Sequence, residues 1–191
     1  PSVVSQTRGA GGTAASLGTG RLLGGAWRKR APGAMITPMD HELRLALELA
    51  DAADAITVPR FRSRDLIVEA KADLTPVSAA DRAVEEQVRR LLARSRPGDG
   101  VLGEEYGEAV TGPRRWVIDP IDGTANYVRG IPVWATLIAF QIDAEAVVGV
   151  VSAPLLGRRW WAARGEGAWG NGESLRVSGV SRLAEAQLSA R

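Results

Sequence analysis

Cysteine is absent from the 191 residues, which excludes disulfides, thiolate nucleophiles and zinc held by sulfur. Histidine occurs once, as His41, within what reads as a first helical turn, where a solvated side chain is the simpler role. Apolar runs are short, and none approaches the roughly 20 residues of a membrane span, so a soluble protein with no membrane partner is expected. Acidic residues are missing from positions 1–34, which carry Arg8, Arg21, Arg28, Lys29 and Arg30. A chain of net charge +2 therefore leaves −3 for the remainder. The high pI of about 9.5 belongs to the N-terminal stretch and not to a folded basic face, so nucleic acid is not an expected partner.

That stretch, "PSVVSQTRGAGGTAASLGTGRLLGGAWRKRAPGAM", is rich in Gly, Ala, Ser and Arg and has no sustained periodicity. Its glycines faintly suggest a phosphate loop, but no strand precedes them and no Gly-Lys-Ser/Thr follows. Residues 1–36 are expected to be a flexible basic tail. Two alternatives stay open: an organelle transit peptide, or translation that begins at Met35 or Met39. The chain opens on Pro1, as a fragment or a processed product would.

From Thr37 onward the sequence is orderly. Thr37-Pro38-Met39-Asp40 fits a helix cap with proline at the first helical position, Leu43, Leu47 and Ala50 recur at helical spacing, and the element should end near Pro59. "DLIVEA" (65–70) reads as a short strand. Ser78 caps a second helix reaching Arg94, with Val84, Val88, Leu91 and Leu92 on one face. "VLGEEYG" is a brief strand entering a loop, and "WATLIAFQI", "AVVGVVSAP", "RRWWAAR" and "SLRVS" are β-rich runs separated by turn residues. The adjacent Trp160 and Trp161 would point to opposite sheet faces, one into the core and one onto a partly covered surface. Two helices followed by consecutive strands predict an α+β layer, helices packed on a mostly antiparallel sheet.

The segment "RRWVIDPIDGTANY" places Asp119 and Asp122 beside a proline and a glycine, so Trp116–Ile118 reads as a buried strand ending at Asp119-Pro120. Asp81, Glu104, Asp119 and Asp122 all fall in loops or at element ends. Each has a purely structural alternative: Asp81 completes a capping box, Glu104 lies in a solvated turn, Asp119 pairs with Arg115, and Asp122-Gly123 is a turn pair. Were Glu104, Asp119 and Asp122 to converge, each pair at ~4 Å would repel by about 4 kcal/mol at an effective dielectric near 20. Such a cluster needs raised pKa values or a bound cation. Oxygen donors alone favour a hard ion, Mg²⁺ before Ca²⁺ or Mn²⁺. Gly123-Thr124-Ala125-Asn126 reads as a short helix opening whose N–H groups suit an anion beside that cation.

"WVIDPIDGTANY" resembles the signature of the inositol monophosphatase-like phosphatases. "KADLTPVSAAD" (71–81), "GEEYG" (103–107) and "RGEGAWGNGESLRVS" (164–178) agree with the family in order, and the likeness covers roughly residues 40–180. "RPGDGVLGEE", "VRGIPVWATLIA" and "VVSAPLLGRRWWAARGEGAW" look most like its histidinol-phosphate phosphatase branch. The resemblance implies that Glu104, Asp119, Asp122 and the Ile121 carbonyl ligate two or three Mg²⁺ ions. It implies that Gly123 and Thr124 receive the substrate phosphate beside Glu104, Ile121 and Asp122. It further implies that Asp81, Glu104 and the Thr124 hydroxyl orient and deprotonate the attacking water.

The same resemblance implies a phosphomonoesterase acting on a small phosphorylated metabolite, L-histidinol phosphate first, with inositol 1-phosphate or a related sugar phosphate as the alternative. It also implies a cytoplasmic homodimer when full length. Ser78 stands where many members have Thr, which keeps a hydroxyl. The family's second, α/β domain carries a Trp-Asp segment with another metal-binding aspartate, and no Trp-Asp pair occurs here. The expectation is therefore the N-terminal domain of the layered αβαβα sugar-phosphatase fold over residues 37–180, with the C-terminal domain largely missing and only begun at 181–191. A truncated, non-catalytic module that binds Mg²⁺ or phosphate is the reading from another functional class.

Overall fold

A computed structural model describes residues 40–72, 74–109 and 112–187. The expected cap at Thr37 and the boundary at residue 36 lie outside them. Helix α1 (Asp40–Arg60) ends one residue past Pro59, as expected where the proline ring and missing N–H block continuation. Its buried stripe is Ala46, Leu49, Ala50 and Ala53, followed by Thr57. Leu43 and Leu47, expected to lead that stripe, lie half-buried at its margin. Three of the stripe residues are alanines, side chains small enough to suit close packing against a neighbouring layer.

β1 (Val68–Ala70) and β2 (Pro76–Ser78) form a separate antiparallel hairpin, so the expected strand over 65–70 contracts to its last three residues. Helix α2 (Ala79–Ser95) is capped by Ser78, with Asp81 completing the capping box. Val84, Val88 and Leu92 are buried as expected, and Leu91 is partly buried.

The remaining strands form one sheet: β3 (Gly100–Gly103), β4 (Gly107–Ala109), β5 (Arg114–Asp122), β6 (Ala135–Ile142), β7 (Glu145–Ala153), β8 (Arg158–Ala163), β9 (Gly167–Gly170) and β10 (Glu173–Leu175). Their spatial order is β10-β9-β8-β7-β6-β5-β3-β4. β3 runs parallel to β5, and the other pairings in the sheet are antiparallel. The class is the expected one, α+β with helices on a mostly antiparallel sheet.

Register explains the core. Trp116 faces Phe140 across β5–β6 and Phe140 faces Val148 across β6–β7, with Ile118, Ile138 and Val150 making the next row. These residues are nearly all fully buried under α1 and α2. Burying each such side chain contributes about 1.5–3 kcal/mol relative to exposure. The opposite face carries the row Asp119, Leu137, Val151 and Trp160, only half-buried. Trp161 packs against the core and stacks on Trp169 at 6.4 Å, so the tryptophan pair divides between the faces as the alternation predicts. Two polar clamps hold the helices to the sheet. Arg159, 5% exposed, donates to Asp51 and Asp54 of α1 at 2.6 and 2.5 Å and to Ser152 at 3.0 Å. Arg114 of β5 donates to Glu42 of α1 at 3.2 Å and to Asp99 of the α2–β3 loop at 2.9 Å, and Asp99 also accepts from the Trp116 indole at 3.1 Å.

One local expectation is corrected. β5 does not end at Asp119-Pro120 but continues to Asp122, with a register shift between those aspartates. Asp119 faces Leu137 and Asp122 faces Ala135, so three steps on β5 match two on β6. The extra residue is a bulge, a position that tolerates a proline without an N–H to pair. In an unbroken strand, residues three apart point to opposite faces; the bulge brings both carboxylates to one side. The lone histidine, His41, is exposed on α1.

Candidate active site

The site is built where the end of β5, the start of α2 and the β3–β4 turn meet. After the bulge, Gly123 adopts φ 87°, left-handed backbone that favours glycine, and a Cβ there would press within 3.2 Å of the Val133 carbonyl. This sharp turn opens α3 (Thr124–Val128), with Asn126 and Tyr127 donating back to the Gly123 carbonyl at 2.9 and 3.0 Å. The Thr124 and Ala125 N–H groups come before the first intrahelical acceptor, as at any helix start. Beneath α3, Tyr127 packs edge-on against Phe61 and Trp134 and donates to the Thr57 carbonyl at 2.8 Å. Ile121, 1% exposed, completes that cluster, so its side chain anchors the turn while its carbonyl faces Thr124.

Asp81 and Thr124 meet as expected. The Thr124 hydroxyl lies 3.2 Å from Asp81 Oδ1 and 2.9 Å from the Ile121 carbonyl. Asp81 Oδ2 accepts from the Ser78 amide at 2.8 Å and the Ser78 hydroxyl at 2.6 Å. The capping contacts of Asp81 therefore use Oδ2, which leaves Oδ1 to Thr124. Burial pushes its pKa up, against the opposing pull of the Ser78 and Thr124 hydrogen bonds.

Glu104 and Asp119 also meet. Burial, then the negative charge and hydrogen bonding of Glu104, raise Asp119 from 3.8 to about 7, with Asp122 and Asp81 adding to the repulsion. Asp119 is the more deeply set of the two, Glu104 being exposed. Its Oδ1 is buried and makes no hydrogen bond. The alternative pairing with Arg115 is not formed. Arg115 instead donates to Gln141, directly opposite on β6, at 2.7 Å, and lies 3.4 Å from Glu108.

Lys71, inside a motif the sequence pointed to but without an assigned role, places its ammonium 2.7 Å from Glu104 and 2.8 Å from Glu105. Burial alone would lower the Lys71 pKa; the two carboxylates outweigh it and hold the group firmly charged. Among the described residues, no three Asp, Glu, His or Cys side chains are already arranged as a metal cage. The full convergence of Glu104, Asp119 and Asp122 is therefore not present, and Lys71 supplies the positive charge beside Glu104. The donor chemistry nevertheless fits a hard cation: oxygen ligands only, one of them a buried, unpartnered carboxylate oxygen whose proton is held by crowding.

The profile of the inositol monophosphatase family matches residues 39–191. The chain belongs to the inositol monophosphatase family. A histidinol-phosphatase of Streptomyces coelicolor is 60% identical over 158 residues, covering 78% of this chain and 59% of that protein. One from Mycobacterium tuberculosis is 57% identical over 158 residues, covering 79% and 61%. Among solved structures, the extragenic suppressor protein suhB from Bartonella henselae superposes with TM-score 0.70 at 33% identity, covering 75% of this chain and 57% of that one. The Thermotoga maritima IMPase gives 0.68 at 32% identity, covering 73% and 54%. The chain thus spans about three fifths of the length of these curated relatives. Among the described residues, no helix is long and apolar enough to cross a membrane.

The raised Asp119 pKa sets a pH dependence. Its folded value lies above its unfolded one, so the folded state holds the extra proton between pH 3.8 and about 7. The stability it lends is full below 3.8 and is lost as pH rises through about 7. A cation bound at Asp119 would have to displace that proton, so affinity for Mn²⁺ as a probe would then rise about tenfold per pH unit below 7 and flatten above it. Calorimetric titration across that range checks this, and an affinity flat from about pH 5 upward would show that Asp119 is not a ligand.

Proposed function

We propose that this chain is the metal- and phosphate-binding part of a Mg²⁺-dependent phosphomonoesterase whose substrate is L-histidinol phosphate. The observation that carries the reading is Asp119, a half-buried carboxyl raised by burial and by the neighbouring Glu104, placed beside the Thr124–Asp81 hydrogen bond. Glu104, Asp119, Asp122 and the Ile121 carbonyl are the groups that would hold Mg²⁺, two or three ions by the family pattern. When bound, Mg²⁺ supplies Lewis acidity at the phosphoryl oxygens and makes water a better nucleophile at neutral pH.

The chain's own residues do the rest. Gly123 keeps the backbone close enough for the α3 amides to receive phosphate oxygens. Thr124 has one hydroxyl proton and two acceptors, Asp81 Oδ1 and the Ile121 carbonyl. In this reading the hydroxyl accepts the proton of an attacking water on its free lone pair while passing its own to Asp81. Asp81 suits that role because burial raises its pKa, and the proton returns to the leaving alkoxide.

Substrate choice rests on the two relatives named histidinol-phosphatase, at 60% and 57% identity. A chain extended to the length of its relatives is expected to hydrolyse histidinol phosphate with a higher kcat/KM than myo-inositol 1-phosphate. A side-by-side assay favouring the inositol ester would reassign it. A cytoplasmic homodimer completes the proposal; sedimentation velocity on the extended protein tests the assembly, and a monomer at working concentration would remove it.

A further inference from the structure

Glu85 is an interior carboxylate on α2 to which the chemistry above gives no part. It is 0% exposed, a burial that acidic side chains reach only when paired. Its Oε2 accepts the Glu105 amide at 2.7 Å, and its Oε1 accepts the Tyr106 amide at 3.2 Å and the Arg89 Nε at 2.8 Å. Arg89 in turn donates through Nη2 to the Gly107 carbonyl at 2.5 Å. One ion pair therefore grips two amides of the turn joining β3 to β4 and the Gly107 carbonyl at the start of β4. The space for it is made by Gly103, where a Cβ would lie 1.9 Å from Glu85 Oε1.

We propose that Glu85 is a positioning residue for metal binding, fixing the β3–β4 turn so that Glu104 is presented to Asp119. The inference rests on the proposed function for the metal itself. Glu104 lies at the start of the clamped turn, and its own amide donates to the Ile118 carbonyl at 3.2 Å, one residue before Asp119. The turn is thus tied to β5 at one end and to α2 at its middle. Glu85 also stands four residues after Asp81, hence on the same face of α2. A single helix face positions the carboxylate that meets Thr124 and the turn that carries Glu104. Packing alone does not explain a carboxylate here, because an apolar side chain in a buried position avoids the desolvation of an ion pair. The two backbone N–H groups explain it, since they need an acceptor where Gly103 leaves no side chain.

The test uses the 191-residue chain with Mn²⁺ as the probe, read by calorimetry, alongside hydrogen exchange of the turn amides. Glu85→Gln keeps the shape but turns one oxygen into a donor facing an N–H. It is expected to weaken Mn²⁺ binding about tenfold to a hundredfold, the range seen when groups that orient metal ligands are altered. The Glu105 and Tyr106 amides should exchange at least about tenfold faster, as loss of a hydrogen bond to a charged group implies. Val88→Ala, a core truncation on the same helix, destabilises the fold and should leave Mn²⁺ affinity within about twofold. Should Glu85→Gln fail to fold, the pair Glu85→Ala with Gly103→Ala refills the space without restoring the acceptor, and weak Mn²⁺ binding is expected there too. Wild-type affinity in either Glu85 variant, or an equal loss in Val88→Ala, would overturn the inference alone. No Mn²⁺ binding by the wild-type chain would overturn the proposed function, and the inference with it.

Discussion

Asp119→Asn, in a chain extended to the length of its relatives, is expected to abolish Mg²⁺-dependent phosphate release while raising the melting temperature of the metal-free protein. Both effects come from one group. Without a cation, Asp119 is a carboxyl forced to about 7 by burial and by Glu104, so at neutral pH the fold carries an unresolved repulsion. Asn has the same shape and no charge, which removes the repulsion and spares the packing against Leu137 across β6. Were a cation bound there, the same change would delete an anionic ligand whose Oδ1 is buried and makes no hydrogen bond. The loss of rate should be about 10³-fold or more, since removing even one preorganised electrostatic partner can cost about 10²–10³. Thermal melts with and without Mg²⁺ separate this from misfolding: the metal-free Tm rises, and the further rise on adding Mg²⁺ disappears. Turnover that survives in Asp119→Asn, or in the wild type under excess chelator, would remove Asp119 from the ligand set.

Local chemistry in this site was legible because it sits in continuous motifs. Ser78 with Asp81 predicts the cap of α2 from spacing alone, and Gly123-Thr124 predicts the opening of α3. The Thr124–Asp81 contact bridges 43 residues, and it came from resemblance, not from periodicity. The bulge in β5 was not legible, because a period-two pattern carries no mark of one extra residue, and Asp119-Pro120 looks like a strand end when it is a strand kink. The expected Arg115–Asp119 pair failed for a related reason. Residues two apart on a strand share a face, but Gln141 stands directly opposite Arg115 and takes its Nε first. Lys71 and Glu85 were missed because their meaning is tertiary. Lys71 reaches Glu104 only through the placement of the β1–β2 hairpin. Glu85 reads as an ordinary charged residue until the missing side chain of Gly103, 18 positions later, opens a place for it.

The 191-residue chain by itself is expected to bind Mn²⁺ or phosphate weakly and to turn over histidinol phosphate at least about 10²-fold more slowly than the extended protein. A misplacement of about 1 Å is enough for a loss of that size, and here more than placement is at stake. The described residues bring Glu104 to Asp119 and Thr124 to Asp81, but they do not close a cage of three acidic ligands, and Lys71 holds Glu104 instead. The family pattern places a further metal-binding aspartate, with the wall that grips the leaving group, in a Trp-Asp segment that these 191 residues do not contain. The sheet makes the same point physically. Leu137, Val151 and Trp160 form a row on the face opposite α1 and α2, half-buried where Ile138, Val150 and Trp161 of the facing row have helices above them. An apolar row of that kind favours self-association when nothing covers it. The 191-residue and extended proteins are to be compared at saturating Mg²⁺ for turnover, and by light scattering for association. Turnover within about tenfold of the extended protein would show that the catalytic constellation is complete within Asp81, Glu104, Asp119, Asp122 and Thr124, and that the second set of ligands is dispensable.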